Sequence, residues 1–257
     1  MIKAVFFDVD GTLYSHTQGA VPPSALRALY RLRDKGILVF LSTGRHLCEL
    51  KVLPLTSFAF DGYVTLTGQL CLDGAFRPFY RRFLDPEDQK PLIRAFEEKK
   101  IPMLLANEEL LYINFVNDRV RRVQRDIATP LPPVGEYRGE EIYIAVAYCA
   151  GAEREALISP LRHTVTSAWH PSGFDLIPAD SGKAVGIRET EKRFGFAPEE
   201  TMAFGDGEND LDMLRHAGVG VALGNGAPAL KAAADFVTDP IDEDGVEKAL
   251  RHFGLLA

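Results

Sequence analysis

Short, continuous apolar runs near both ends of the chain each stop at polar residues. Three of these runs, with the residue that ends each, are 4–7 before Asp8, 37–41 before Ser42, and 202–204 before Gly205. Runs of this length without polar alternation predict strands that are buried on both faces, as in a parallel sheet. The pattern therefore favours an α/β fold.

A helix is predicted between the first two strands. Pro22-Pro23-Ser24 supplies its start, Gly36 supplies its end, and Leu26, Leu29 and Tyr30 form an apolar stripe. A strand, a helix and a second strand in this order form a βαβ unit with parallel strands.

The same alternation returns near the C-terminus. The elements predicted there are a helix at 211–216, a strand at 219–223, a helix at 227–234, a strand at 236–238 and a helix at 245–253. Both ends of the chain are therefore expected to build one Rossmann-like core with a mostly parallel sheet.

The middle of the chain has a different pattern. Val116, Val120, Val123 and Ile127 define one helix face. Candidate strands cover 79–84, 110–115, 142–148 and 174–177, and residues 130–133 read as a linker. We predict a catalytic core formed by 1–83 and 180–257, and an inserted α+β domain formed by 84–179.

Composition excludes several classes of protein. The chain has 257 residues, of which 46% are hydrophobic and 25% charged, with a net charge of −7. An acidic balance argues against nucleic-acid binding and against a basic membrane patch. The first apolar run is too short for a signal peptide or a membrane span, so a cytoplasmic location is expected. Cys48, Cys71 and Cys149 are widely spaced and are interpreted as reduced structural thiols. A monomer or a weak homo-oligomer is expected.

The candidate chemistry lies where the predicted strands end. In an open parallel sheet, the ligand site lies beyond the carboxyl ends of the strands, so the polar clusters should converge. They would bring together Asp8, Asp10, Asp206 and Asp210. An all-oxygen set of this kind selects a hard cation, and Mg²⁺ suits a few carboxylates combined with a substrate phosphate. Without a cation, four converging carboxylates would repel one another.

These groups are suited to phosphoryl transfer, in which catalysis is mostly positioning and charge stabilisation. We expect Asp8 to attack phosphorus and become an aspartyl phosphate. Asp10 would protonate the leaving oxygen and then accept a proton from water. Thr12 and Thr43 offer hydroxyl groups, and Lys183 offers a cation for the phosphoryl oxygens. Gly11 allows a tight turn whose amides can face an anion.

Four segments, in this order, resemble the motifs of the haloacid dehalogenase superfamily. They are DVDGT from Asp8, STGR from Ser42, the lysine Lys183, and GDGENDLDML from Gly205. The insertion resembles the larger cap of the Cof-type (C2B, type IIB) sugar-phosphate phosphatases, and the segment from Gly224 to Val246 resembles that family as well.

The resemblance implies a role for each matching residue. Asp8 would be the nucleophile and Asp10 the general acid/base. The metal would be held by the Asp8 side chain, the Asp10 backbone carbonyl and Asp206, with Asp210 as a ligand or a support through water. The phosphate contacts would be Thr43, Gly44, Lys183 and Asn209. A small phosphorylated metabolite, most readily a sugar phosphate, would be the substrate, and the cap would close over the core and select the leaving group.

One position departs from the family. Many relatives carry Asn-Gly after the third strand, where this chain has Thr67-Gly68. The difference bears on any substrate contact made by that loop and leaves the chemistry of the carboxylates unchanged. A second segment, Trp169 to Asp175, forms an aromatic and polar loop in the sequence interpretation. This loop could face the substrate or be a simple turn of the cap.

Three other functions are rivals to this interpretation. A phosphomutase would use the same nucleophile but pass the phosphoryl group to a second hydroxyl. A non-catalytic regulator would bind a phosphorylated ligand without needing both Asp8 and Asp10. A nicotinamide oxidoreductase is disfavoured by the Asp-Val-Asp turn after the first strand. Gly224-Asn225-Gly226 is rejected as a dinucleotide loop because it lacks the third glycine and a partner acid.

Overall fold

The chain folds into two compact units. A computed structural model describes residues 1–53, 55, 58–127 and 129–256. One unit comprises Met1–Arg81 with the described residues from Ser181 onward, and the other comprises Arg82–Asp180. The prediction that the second unit selects the substrate stays a prediction.

The strands, in chain order, are β1 (Ala4–Phe7), β2 (Leu38–Ser42), β3 (Gly62–Thr65), β4 (Leu70–Asp73), β5 (Pro78–Arg81), β6 (Met103–Ala106), β7 (Leu111–Ile113), β8 (Ile144–Ala147), β9 (Thr164–His170), β10 (Gly173–Pro178), β11 (Thr201–Gly205), β12 (Val219–Ala222) and β13 (Phe236–Val237). The helices are α1 (Pro23–Asp34), α2 (Leu47–Leu50), α3 (Pro86–Glu98), α4 (Asp118–Asp126), α5 (Ala152–Ile158), α6 (Lys183–Phe194), α7 (Leu211–His216), α8 (Pro228–Ala233) and α9 (Gly245–His252).

The first unit is built on an eight-stranded sheet with the order β13-β12-β11-β1-β2-β3-β4-β5. The strands from β13 to β3 run parallel, and β4 and β5 are added antiparallel at one edge. The predicted α/β fold with a mostly parallel sheet is confirmed. The strand predicted at 79–84 is β5, which ends at Arg81 and belongs to this unit.

The middle of this sheet is apolar on both faces, as the continuous hydrophobic runs require. Phe6 pairs in register with Phe40 of β2, and their rings stack at 4.9 Å. The next residue, Phe7, points to the opposite face and stacks at 4.8 Å on Phe204 of β11. All four residues of β1 are buried, so the strand is fixed firmly and its carboxyl end is a rigid support for the residue that follows.

Helix α1 lies where the sequence predicts it, with Pro23 in its first turn, but it buries a different face. Ala25, Ala28, Leu29 and Leu32 are buried, whereas Tyr30 is exposed. In the predicted stripe, Leu29 is therefore confirmed as buried, Leu26 is half-buried, and only Tyr30 was wrong. Two of these four buried residues are alanines, and a search for large apolar residues overlooks them.

The second unit is α+β, as predicted. Its five-stranded antiparallel sheet has the order β7-β6-β8-β10-β9. Helices α3 and α5 contribute Leu92, Phe96 and Leu157 to a core that includes Phe174 and Leu176 of β10. Helix α4 begins later than the predicted face, at Asp118, because the side chain of Asn117 caps it by accepting a hydrogen bond from the Val120 amide.

The segment interpreted as a loop from Trp169 to Asp175 is a β-hairpin. Trp169 is the penultimate residue of β9, Asp175 lies within β10, and the two strands pair antiparallel with a bulge at Gly173. The indole Nε1 of Trp169 donates to Oδ1 of Asp175 at 2.7 Å. The sequence concealed β9 because this strand is half-exposed along its length and has no apolar run.

Among the helices of the described residues, none combines the length and the apolar character needed to cross a membrane.

Candidate active site

Two carboxylates follow the ends of neighbouring strands. Asp8 comes directly after β1, and Asp206 directly after β11, which pairs with β1 in parallel. The amide of Asp8 donates to the carbonyl of Phe204 at 2.9 Å, which extends the ladder by one step. The carboxylate oxygens of Asp8, Asp206 and Asp210 lie within 4.8 Å of one another. The convergence expected from the strand ends is therefore present for these three residues.

Asp210 has a second task in this cluster. It is fully buried, and its Oδ2 accepts hydrogen bonds from the amides of Asp206 and Gly207 at 3.0 and 2.9 Å. These bonds close the turn between β11 and α7 and fix the backbone that carries Asp206. Because Asp210 is both a candidate ligand and the organiser of this turn, its side chain cannot move without disturbing its neighbour.

Lys183 completes the cluster from the start of α6. Its side chain is fully buried, and its Nζ lies 2.6 Å from Oδ1 of Asp8 and 2.5 Å from Oδ1 of Asp210. The exposed Asp212 accepts a hydrogen bond from the Ala184 amide at 3.0 Å and so ties the first turn of α6 to α7. The lysine predicted as a candidate site residue is thus held between two buried carboxylates.

The pKa values follow from this crowding. Burial raises the pKa of Asp8 well above its usual value; Lys183 lowers it, and Asp210 and Asp206 raise it further. Burial, followed by repulsion from Asp210, raises the pKa of Asp206 to about 7. Burial lowers the pKa of Lys183, but attraction to Asp210 and Asp8 outweighs this and raises it. The cluster is short of positive charge.

The donor set fits a hard divalent cation. When all three carboxylates are ionised, they and the one ammonium leave two negative charges uncompensated, and the candidate ligand atoms are all oxygens. Mg²⁺ and similar ions are bound in proteins by oxygens of this kind. Thr12 supports the set, since its buried hydroxyl donates to Oδ1 of Asp206 at 3.3 Å.

Gly11 allows the turn after β1 to approach Asp206. Its φ is +76°, and a Cβ placed on it would lie 2.1 Å from Oδ2 of Asp206. Glycine is required at this position for two reasons. Its backbone conformation is unfavourable for other residues, and the carboxylate of Asp206 occupies the space that a side chain would need.

Asp10 lies outside the buried cluster, and its side chain is 34% exposed. Arg45 donates to both carboxylate oxygens, from Nε at 2.6 Å and from Nη2 at 2.7 Å. Nε2 of His16 lies 2.9 Å from Oδ1. A carboxylate gripped from two sides in this way has one defined orientation.

The remaining predicted residues lie along the same edge. Thr43 and Gly44 follow β2, which pairs with β1, and Thr43 is buried with its Oγ1 accepting a hydrogen bond from the Arg45 amide at 3.1 Å. Asn209 is exposed, in the short helical turn before α7. The phosphate contacts assigned to Thr12, Thr43, Gly44 and Asn209 stay predictions.

The turn at Thr67-Gly68, the position of departure from the family, packs against α6. A Cβ on Gly68 would lie 1.9 Å from the carbonyl oxygen of Gly182, the residue before Lys183. The amide of Thr67 donates to the carbonyl of Thr43 at 3.0 Å. This turn therefore links the loop after β2 to the start of α6.

Sequence reasoning missed Asn225. Its Nδ2 donates to the carbonyl of Gly11 at 2.9 Å and lies 3.4 Å from Oδ2 of Asp206, and its Oδ1 accepts from the Ile241 amide at 2.8 Å. The sequence did contain a signal for Asn225. Gly224-Asn225-Gly226 follows the apolar run that forms β12, and residues after the carboxyl ends of the other parallel strands had been predicted to lie at the site. Arg45 was named only as part of a motif, and nothing in the spacing singled out His16.

Comparisons with known proteins show which family the chain resembles along its length. The sequence profile of the haloacid dehalogenase-like hydrolases matches residues 5–250. The Bacillus subtilis protein YkrA is 32% identical over 99% of this chain and 98% of its own length. The structure of the phosphatase BT1666 from Bacteroides thetaiotaomicron is also similar, with a TM-score of 0.90 and 30% sequence identity. The match includes 100% of this chain and 96% of the BT1666 chain.

The structure of BT4131, a sugar phosphatase of haloacid dehalogenase subclass IIB, is similar as well. It is 34% identical over 99% of this chain and all of its own chain, with a TM-score of 0.84. The predicted enzyme class, a phosphomonoester hydrolase, is confirmed by these likenesses. Because the family profile matches residues 5–250, nearly the whole sequence, the chain belongs to the haloacid dehalogenase-like hydrolases.

Proposed function

We propose that the protein is a Mg²⁺-dependent phosphatase that hydrolyses small phosphorylated metabolites, sugar phosphates foremost, through an aspartyl phosphate on Asp8. The observation that carries the proposal is the buried cluster in which Lys183 bonds to Asp8 and Asp210 while the carboxylate of Asp206 lies beside them. A cluster of this composition is costly to bury unless it binds a cation and a charged substrate.

Asp8 is suited to the role of nucleophile. Its carboxylate stands at the end of a buried strand, and the bond from Lys183 at 2.6 Å fixes its orientation. In the first step an oxygen of Asp8 bonds to phosphorus, and the bond from phosphorus to the leaving oxygen breaks. Lys183, already between two carboxylates, lies close enough to attract the phosphoryl oxygens as negative charge builds on them.

Asp10 is suited to the proton transfers. It is more exposed than Asp8 and stands two residues later, beyond the tight turn at Gly11. It donates its proton to the leaving oxygen, which departs as an alcohol. It then accepts a proton from the water that attacks the aspartyl phosphate, and inorganic phosphate is released. The two steps return Asp10 to its starting state.

The cation would be held by Asp8, Asp206 and Asp210, with the backbone carbonyl of Asp10 as the further ligand that the family resemblance implies. When bound, a divalent cation neutralises the charge that the carboxylates and the phosphoryl group bring together. Thr12 orients Asp206 for this task.

The substrate class is supported by likeness. BT4131, at 34% identity over nearly the whole chain, is described as a sugar phosphatase. The proposal for this chain is the same class of substrate, a phosphate ester of a small polyhydroxylated metabolite. A screen of hexose and pentose phosphates for release of inorganic phosphate checks it. Transfer of the phosphoryl group to a second sugar, with no phosphate released, would identify a phosphomutase instead.

The nucleophile is tested with Asp8→Asn and with chemical trapping. The wild-type protein, quenched in acid during turnover, should carry a phosphoryl group whose attachment at Asp8 is located by mass spectrometry. Asp8→Asn should form no adduct and no product while it unfolds at a temperature close to that of the wild type. Chelation of divalent cations should abolish turnover, and added Mg²⁺ should restore it. Trapping on another residue, or full activity in Asp8→Asn, would refute the assignment.

A further inference from the structure

His16 touches the carboxylate that the proposed mechanism uses twice. Its Nε2 lies 2.9 Å from Oδ1 of Asp10, on the oxygen that also accepts from Nη2 of Arg45. Oδ2 accepts from Nε of Arg45. Arg45 alone would leave Asp10 free to tilt with it as one planar pair, whereas the additional contact of His16 on Oδ1 restrains the carboxylate against that motion.

The loop that carries His16 is built to hold it. Ser15 is buried, its hydroxyl donates to Oδ1 of Asp242 at 2.6 Å, and its amide bonds to the carbonyl of Ala20 at 2.9 Å. The ring of Tyr14 meets the imidazole edge to face at 5.2 Å. An exposed histidine is usually mobile, but here the residue before it is anchored and its ring packs against Tyr14.

We propose that His16 is a positioning residue for proton transfer by Asp10, and this rests on the proposed function. Its imidazole, with Nε2 2.9 Å from Oδ1, holds the carboxylate in the orientation from which Asp10 protonates the leaving oxygen.

The proton balance excludes a relay role for His16. Asp10 loses one proton when the bond from phosphorus to the leaving oxygen breaks, and it gains one when water attacks the aspartyl phosphate. Since the cycle closes on Asp10 itself, no proton has to pass through His16. The role proposed for His16 is therefore to orient the carboxylate of Asp10.

Leaving groups that differ in their need for a proton test the proposal. 4-Nitrophenyl phosphate expels a stable phenolate and needs little acid assistance, whereas benzyl phosphate expels an alkoxide that must be protonated. The measured quantity is kcat/KM, which reports the steps up to departure of the leaving group. His16→Ala and His16→Phe should lower kcat/KM for benzyl phosphate about tenfold and change it for 4-nitrophenyl phosphate by less than about twofold, a fraction of what a general acid contributes. His16→Phe keeps an aromatic ring beside Tyr14 and removes the ring nitrogen that contacts Asp10.

Two further variants complete the design. His16→Gln, which can place an N–H near Oδ1, should recover most of the loss. Thr17→Ala, at an exposed neighbour in the same loop, should behave as the wild type with both esters. Equal losses on the two esters in His16→Ala and His16→Phe, or no loss on either, would overturn the proposal.

Asp10→Asn separates this inference from the function on which it rests. It should lower kcat/KM for benzyl phosphate about 100-fold, with a much smaller effect on 4-nitrophenyl phosphate. If Asp10→Asn discriminates between the esters and the His16 variants do not, only the role of His16 fails. If Asp10→Asn shows no discrimination, the acid/base assignment of the proposed function fails as well.

Discussion

Nζ of Lys183 lies 2.6 Å from Oδ1 of Asp8, although 175 positions separate the two residues in the chain. Asp8 is held at the end of β1, and Lys183 is the first residue of α6, which follows the inserted unit. Both side chains are buried. The ion pair therefore joins the two halves of the first unit at the point where the chemistry is expected.

Replacing Lys183 by methionine should abolish activity and lower stability. The substitution leaves Asp8 and Asp210 buried without their shared cation, and breaking a buried pair from one side costs about 4 kcal/mol. Urea unfolding followed by circular dichroism, without added divalent cation, measures the loss. Lys192→Met is the control, because Lys192 lies in the same helix but is 70% exposed and pairs with Glu189 on the surface. That variant should lose less than about 1 kcal/mol, and a similar loss in both would contradict the account.

Gly11→Ala should weaken cation binding. The added methyl group would overlap Oδ2 of Asp206, so that the carboxylate has to leave its place. We expect a loss of Mg²⁺ affinity of at least about tenfold, as for other disturbances of ligand orientation. Isothermal titration calorimetry of Mg²⁺ into the protein measures it without reference to activity.

Gly19→Ala is the matched control. Gly19 has a similar φ of +65°, and its added Cβ would approach nothing closer than the Tyr14 hydroxyl at 4.0 Å. Both variants therefore carry the backbone strain of an alanine at positive φ, about 1 kcal/mol, and only Gly11→Ala meets Asp206. Equal Mg²⁺ affinities in the two variants would show that the contact is unimportant.

The first unit and most of its site could be predicted because each buried parallel strand is visible in the sequence as a short, continuous apolar run. Residues 4–7 match β1, and the helix predicted at 211–216 matches α7. Once such strands are placed, the residues that follow them must lie at one edge of the sheet, and this predicts that Asp8 and Asp206 are close together. The rule depends only on the apolar runs, and it works wherever both faces of a strand are covered.

The rest could not be predicted for reasons of geometry and pattern. β9 is half-exposed and carries Ser167 and Trp169, so it lacks both an apolar run and clean alternation. His16 and Arg45 contact Asp10 through side-chain orientations that no pattern in the sequence reveals. Asn225 was recoverable from its place after β12, but a short Gly-Asn-Gly segment resembles an ordinary turn.

The stability of the second unit should depend on the ionisation of Asp88. Burial raises the pKa of this carboxyl, but hydrogen bonds from the Thr164 hydroxyl and from the amides of Arg162 and His163 outweigh burial and hold the pKa below its usual value. A lowered pKa in the folded state means that the stabilisation is complete above the unfolded pKa of about 3.9. It is lost as the pH falls through the folded pKa.

Asp88→Asn should therefore lower the stability of this unit by about 2 kcal/mol at pH 7, because the amide cannot accept all three bonds. The difference from the wild type should shrink as the pH falls below about 4. Trp169, the single tryptophan of the chain, lies in β9 and reports unfolding of the unit by fluorescence. Glu87→Gln, at a residue whose side chain is 75% exposed, should show no such convergence. A deficit for Asp88→Asn that stays constant down to pH 3 would contradict the linkage.

Gly68→Ala should displace the start of α6 and with it Lys183. The added Cβ would meet the carbonyl oxygen of Gly182, a backbone atom that cannot rotate away.

Gly195, at the other end of the same helix, is the control, since its φ of +77° is close to the +87° of Gly68 and nothing lies within 4 Å of the position its Cβ would take. Both variants pay about 1 kcal/mol for the left-handed backbone. Only Gly68→Ala should also lower kcat, by at least about tenfold, since a shift of the lysine by a fraction of an ångström disturbs the alignment with Asp8. Activity assays beside thermal unfolding separate the two effects, and a Gly68→Ala variant that matches Gly195→Ala in kcat would show that the turn does not position the lysine.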